Sequence, residues 1–132
     1  MDAMDQGERA SIDQLLEVAR EGLDRVLPED LDAEIAAGAV VVDTRPWEQR
    51  ERDGALPGAL VVDRNVLEWR LDPSCPFHLH VAVDTDIRVI VVCNEGFSSS
   101  LAAATLRRLG LARATDLAGG FQAWLRWSRG EA

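Results

Sequence analysis

Two short runs of β-branched residues, Val40-Val41-Val42 and Val89-Ile90-Val91-Val92, constrain this chain more than any other feature. Branching at Cβ favours extended backbone. Neither run alternates apolar with polar residues, so a strand built from either must be covered on both faces. That demand is met by a parallel sheet wrapped in helices. The intervening sequence fits. Ser11-Ile12-Asp13-Gln14 has the capping-box pattern, and Ile12, Leu15, Leu16 and Ala19 follow at helical spacing before Gly22. Pro28-Glu29-Asp30 opens a second helix running to about Ala37 and closed by Gly38. Further strands are expected at 25–27, 59–62 and 114–117, with helices at 65–70, 99–109 and 121–128. Residues 1–10 read as a frayed tail and 73–86 as an irregular loop.

With 132 residues, 47% of them hydrophobic and 28% charged, the chain suits one domain with a full core. A net charge of −9 argues against nucleic-acid or anionic-membrane partners. Every one of the 14 basic residues is arginine, which removes Schiff-base chemistry and a lysine general base. Cys75 and Cys93 do not form a disulfide framework. The polar, acidic Met1–Glu8 stretch does not read as a signal peptide, and no apolar run approaches membrane-spanning length. The expectation is a soluble, cytoplasmic protein.

In parallel α/β sheets the ligand crevice lies at the C-terminal ends of the strands. Three such ends collect polar residues: Asp43-Thr44-Arg45, Asp63-Arg64-Asn65 and Cys93-Asn94-Glu95. Cys93 opens the loop Asn94-Glu95-Gly96-Phe97-Ser98-Ser99-Ser100, which runs directly into a helix. Backbone N–H groups and the positive helix end favour a thiolate there, and the thiolate is the nucleophilic form. The competing reading of Cys93 is a small buried hydrophobe.

Four segments, in order, resemble the rhodanese-like family of sulfur-transfer domains. They are Val41-Val42-Asp43-Thr44-Arg45, Gly54-Ala55-Leu56-Pro57-Gly58-Ala59, the Cys93–Ser99 loop, and Asp116-Leu117-Ala118-Gly119-Gly120-Phe121-Gln122-Ala123-Trp124. Ala55 stands where the family usually has histidine. The resemblance implies a single rhodanese-like α/β domain over residues 25–132, with a central five-stranded parallel sheet flanked by helices on both faces. Residues 1–24 are then a tail and an added helix. It also implies that Cys93 is catalytic and holds sulfane sulfur as a persulfide. The donor is thiosulfate-like or a thiol persulfide, and the acceptor is cyanide, a small thiol or a protein thiol. Neither metal nor organic cofactor is implied. Asn94, Glu95, Gly96, Phe97, Ser98, Ser99 and Arg64 are the expected substrate or anion contacts.

Family members active on thiosulfate often carry a cation in the loop; here Glu95 and Phe97 occupy it. A carboxylate beside a dianionic donor costs on the order of 1 kcal/mol when solvated. Arg64 offers compensation, or pairs with Asp63 or Glu68. Asp43 and Arg45 read as structural hydrogen-bonding groups at the sheet edge. His78 and His80 lack a third metal ligand nearby, and Cys75 reads as an inert loop thiol. Two other functions compete: a rhodanese-like module that binds a partner or senses oxidation, and a cysteine phosphatase. The latter needs arginine six residues after the cysteine, where this chain has Ser99.

Overall fold

The computed structural model describes residues 9–131. The two aliphatic runs become the middle of a fully parallel sheet. Strand β1 (Val40–Asp43) pairs with β3 (Val89–Val92) in the register Val40↔Val89 through Asp43↔Val92. Two-residue strands flank them, β2 (Leu60–Val61) beside β1 and β4 (Thr115–Asp116) beside β3, giving the order β2-β1-β3-β4. Successive side chains leave opposite faces of a strand, so each central strand feeds two cores. Val42, Val89 and Val91 meet Leu67, Leu71, Ala102, Ala103, Leu106 and Leu111 on one side. Val41, Ile90 and Val92 meet Val26, Leu31, Leu56, Leu117 and Phe121 on the other.

The sheet has four strands among the described residues, not the five expected. The segment expected as a strand at 25–27 contributes a single parallel bridge, Val26↔Leu117. Its two backbone bonds are Val26 N–H to Asp116 O (2.9 Å) and Ala118 N–H to Val26 O (2.8 Å). The ladder stops because Pro28 has no N–H and begins a 3₁₀ turn, Pro28–Asp30.

Among the described residues six α-helices surround the sheet: α1 (Ile12–Arg20), α2 (Leu31–Ala36), α3 (Trp47–Asp53), α4 (Leu67–Leu71), α5 (Ser98–Arg108) and α6 (Gly120–Ser128). The Ser11 capping box is present on α1, with Gln14 N–H to Ser11 Oγ at 3.1 Å and Ser11 N–H to Gln14 Oε1 at 2.7 Å. Helix α3 falls where no element is predicted. Its sequence, Trp47-Glu48-Gln49-Arg50-Glu51-Arg52-Asp53, buries no residue, so it has no apolar stripe to read. Punctuation marks it instead: Pro46 before it, Glu48 in its first turn, Arg50 and Arg52 in its last, and Gly54 at φ +93° beyond it. The expected tail over 1–10 lies mostly outside the described residues. No described helix is long and apolar enough to cross a membrane.

Candidate active site

Strand β3 delivers Cys93 to the C-terminal edge of the sheet, one residue past its last ladder pair. The chain then curls over the sulfur. Gly96 N–H donates to Cys93 Sγ at 3.2 Å and Ser99 N–H donates at 3.3 Å. Cys93 is only 7% exposed. Burial by itself pushes its thiol pKa up. The Ser99 and Ser98 hydroxyls and the N–H groups of Ser99 and Gly96 act the other way and prevail, leaving the pKa below the ordinary thiol value. The Ser99 hydroxyl proton is directed to Asp116 Oδ2 at 2.7 Å. The two backbone donors are held by the loop itself, beside the rotatable Ser98 hydroxyl.

The curl depends on glycine at three positions. Gly96 sits at φ +86°, and a Cβ there would fall 2.7 Å from the Gly119 nitrogen. Gly120, at φ +64°, is pressed against the same loop: its Cβ would lie 2.6 Å from both the Cys93 oxygen and the Gly96 nitrogen. At Gly119 a Cβ would meet that of Ala123 at 2.5 Å. The Gly119-Gly120 pair thus lets the start of α6 touch the cysteine loop backbone to backbone. Phe121 N–H donates to Cys93 O (2.9 Å) and Gln122 N–H to Asn94 O (3.0 Å). The Gln122 side chain also donates to Asn94 Oδ1 and to Asp53 Oδ2, both at 3.0 Å.

A cavity of about 300 Å³ opens over the sulfur, lined by Thr44, Arg45, Pro46, Gln49 and the loop residues Cys93, Asn94, Glu95, Phe97 and Ser98. Glu95 and Phe97 are exposed at its rim, whereas Gly96 and Ser99 are buried beneath it. Arg64 lies in an adjoining cavity of about 370 Å³, which shares Thr44, Arg45 and Pro46 with the first. Its guanidinium is paired with Glu68 at 2.9 Å. Asp43 and Arg45 form a fully buried ion pair (2.8 Å). Arg45 also donates to Gly54 O at 2.8 Å and stacks 3.6 Å over the Phe121 ring, so it ties three chain segments together at the cavity wall. Cys75 lines a separate hollow with Glu68, Trp69, Asp72 and Leu109, and both cysteines are free.

Sequence reasoning missed the support under the loop. Asp116, fully buried at the end of β4, accepts from Ser99 Oγ (2.7 Å), Ser100 Oγ (2.8 Å) and Arg25 Nε (2.9 Å). The Gly96 carbonyl accepts from Arg20 (2.8 Å) and Arg25 (2.9 Å). These partners lie 76 and 71 positions from Gly96, and no local pattern links them.

A buried cysteine sulfur held by two N–H donors, a Gly-Gly contact behind it and a parallel sheet beneath it agree with the sequence comparison. The profile of the rhodanese-like domain family matches residues 27–126. The chain belongs to that family. It is 35% identical over 100 residues to the thiosulfate sulfurtransferase GlpE of Stutzerimonas stutzeri, covering 76% of this chain and 83% of that one. It is 37% identical over 101 residues to GlpE of Pseudomonas fluorescens, with the same coverage. Among solved structures it resembles a Rhodopseudomonas palustris protein of unknown function described as a possible tyrosine phosphatase (30% identity, TM-score 0.79, 98% of each chain). It also resembles the human single-domain sulfurtransferase TSTD1 (27% identity, TM-score 0.63, 77% of this chain and 95% of that one). Rhodanese-like sulfurtransferases are thus its enzyme class.

Proposed function

We propose that the protein moves sulfane sulfur from an anionic donor to a thiophilic acceptor through a persulfide on Cys93. The observation that carries this reading is the pair of N–H donors, from Gly96 and Ser99, on a cysteine sulfur at the floor of an open cavity. In the first half-reaction the Cys93 thiolate attacks the outer sulfur of a donor such as thiosulfate. A new S–S bond forms, the donor's S–S bond breaks, and sulfite departs with the electron pair. The outer sulfur of the resulting Cys93–S–S⁻ sits about 2 Å farther into the cavity. In the second, a thiolate or cyanide attacks that sulfur, the S–S bond breaks, and Cys93 returns as thiolate. Charge balances at each step without a metal or organic cofactor. The N–H ring holds negative charge on Cys93 before and after each transfer. Acceptors compatible with the open cavity are cyanide, a small thiol or a protein thiol, with no part for nucleic acid or membrane.

A phosphatase reading, suggested by the description of the R. palustris relative, lacks its phosphate clamp. Position 99, where that clamp needs an arginine, is a serine committed to Asp116. A silent binding or redox-sensing module is the remaining alternative. Mass spectrometry of the intact protein after incubation with thiosulfate separates the two. One added sulfur on Cys93, removed by cyanide or a thiol, supports transfer; an unmodified Cys93 at saturating donor overturns it.

A further inference from the structure

Helix α1 has an unusual balance sheet for an added helix: it buries no side chain completely, and Ile12 and Val18 on it are largely exposed. Its most directional contacts go to the cysteine loop. Arg20, in its last turn, donates through Nη2 to the Gly96 carbonyl (2.8 Å) and through Nε to Ser100 Oγ (3.0 Å). The same guanidinium lies 5.8 Å from the centre of the Phe97 ring. Ser100 passes the connection on to Asp116 (2.8 Å), where Arg25 also binds before reaching the Gly96 carbonyl itself.

We infer that Arg20 is a positioning residue for Cys93, and that α1 is part of the catalytic apparatus although it lies before the family-matched segment at 27–126. The reasoning is geometric. Gly96 occupies a left-handed conformation that leaves its carbonyl with two arginine donors. A peptide unit is planar, so fixing that carbonyl fixes the peptide joining Gly96 to Phe97. This peptide lies between the two N–H groups, of Gly96 and Ser99, that hold the sulfur. Without Arg20 the carbonyl keeps Arg25 and a long contact from the Ser100 hydroxyl (3.4 Å), Ser100 loses its own arginine donor, and the loop gains freedom to turn a carbonyl dipole toward the thiolate.

Charge acts in the same direction. The groups around the loop are Arg20 on α1, Arg25 before the 3₁₀ turn, Asp116 on β4, the Asp43–Arg45 pair at the end of β1, Asp53 at the end of α3, and Glu95 on the loop itself. Asp116 pairs with Arg25, Asp43 with Arg45, and Asp53 with Arg52. Among the described residues, that leaves Arg20 as the cation without a carboxylate partner beneath a loop that has no basic residue of its own. It supplies from outside what the loop sequence lacks, which deepens the sulfurtransferase reading.

The test is the pH profile of Cys93 alkylation by iodoacetamide in the full chain, with near-UV circular dichroism to check folding. Arg20→Gln is expected to move the midpoint upward and slow alkylation at neutral pH roughly three- to tenfold. Arg108→Gln removes the same charge from the far end of α5 and is expected to leave the profile unchanged. Arg20→Lys keeps the cation but loses the planar fork whose Nε and Nη2 reach Ser100 and the Gly96 carbonyl separately, so an intermediate profile is expected. It also answers the question if Arg20→Gln fails to fold. A folded Arg20→Gln or Arg20→Lys protein with the wild-type profile overturns the inference. Sulfur loading from thiosulfate, measured in parallel, keeps the two readings apart. A shifted profile without loading in any variant sinks the sulfurtransferase proposal alone, and normal loading with an unshifted profile sinks this one alone.

Discussion

Gly96→Ala is the substitution from which the structure allows the most to be worked out. The backbone there sits at φ +86°, where an L side chain costs about 1–2 kcal/mol. The new methyl would fall 2.7 Å from the Gly119 nitrogen and 3.1 Å from both Gly119 Cα and the Gly120 nitrogen. All three are backbone atoms, unable to swing aside as a side chain would. Overpacking of this kind costs about 1–3 kcal/mol, so the total is about 2–5 kcal/mol. That is a large share of the roughly 5–15 kcal/mol that holds a domain folded. Relief comes only by separating the cysteine loop from the start of α6. Such a movement carries the Gly96 N–H off Cys93 Sγ, from which it is now 3.2 Å away. A hydrogen bond to a charged acceptor contributes about 1.5–3 kcal/mol, and each 1.4 kcal/mol is a factor of ten. Two assays follow: urea unfolding for the stability loss, and iodoacetamide alkylation at pH 7 for a slowing of about tenfold or more. A variant within 0.5 kcal/mol of wild type, with an unchanged alkylation profile, would refute the argument that the loop's shape activates the cysteine.

Cys93→Ser should abolish sulfur loading in intact-mass measurements, whereas Cys75→Ser should load normally; the reverse result would move the site. The thiolate also leaves a stability signature. Because the folded-state pKa of Cys93 is depressed, the folded chain binds fewer protons between that pKa and the ordinary thiol value of the unfolded chain. Its stabilisation is therefore full above the unfolded value and is lost as pH falls through the folded one. Urea midpoints for wild type relative to Cys93→Ser should rise across that window, and parallel curves would contradict the depressed pKa. Glu95→Arg reverses an exposed charge at the cavity rim and should lower the KM for thiosulfate roughly fivefold at low salt, with the gain shrinking as salt rises. An unchanged KM at low salt removes loop charge as the limit on this donor. Asp116→Asn strips Arg25 of its ion-pair partner and weakens the acceptor shared by Ser99 and Ser100. Arg25 is partly solvated, so a loss of about 2–3 kcal/mol in urea unfolding is expected; no loss would mean the network is energetically idle.

What could be read in advance follows the range of each interaction. The paired centre of the sheet was visible because Val40–Val42 and Val89–Val92 satisfy a requirement within a few residues. The cysteine loop was visible because Gly96 and the serines sit in sequence beside the cysteine they enclose. Helix α3 was invisible to periodicity because Trp47–Asp53 turns no apolar face inward. The expected strand at 25–27 failed because Pro28 removes the next ladder donor. Arg64, one of the polar residues gathered at a strand end, was placed by the fold beside Glu68 in the neighbouring cavity. The clamp of Arg20, Arg25 and Asp116 depends on contacts spanning more than half the chain, which only the finished topology brings together.

The meeting of chain ends at the cysteine loop has a consequence for biosynthesis. The loop is closed from one side by Arg20 and Arg25 and from the other by the Gly119-Gly120 turn, which lies about twenty residues beyond it. Contacts of such sequence separation carry the entropy of closing the intervening chain. Until α6 docks, Cys93 has neither a fixed N–H ring nor a buried floor, and its sulfur is an ordinary thiol. The surroundings that lower the Cys93 pKa are thus complete only once both ends of this contact are in place.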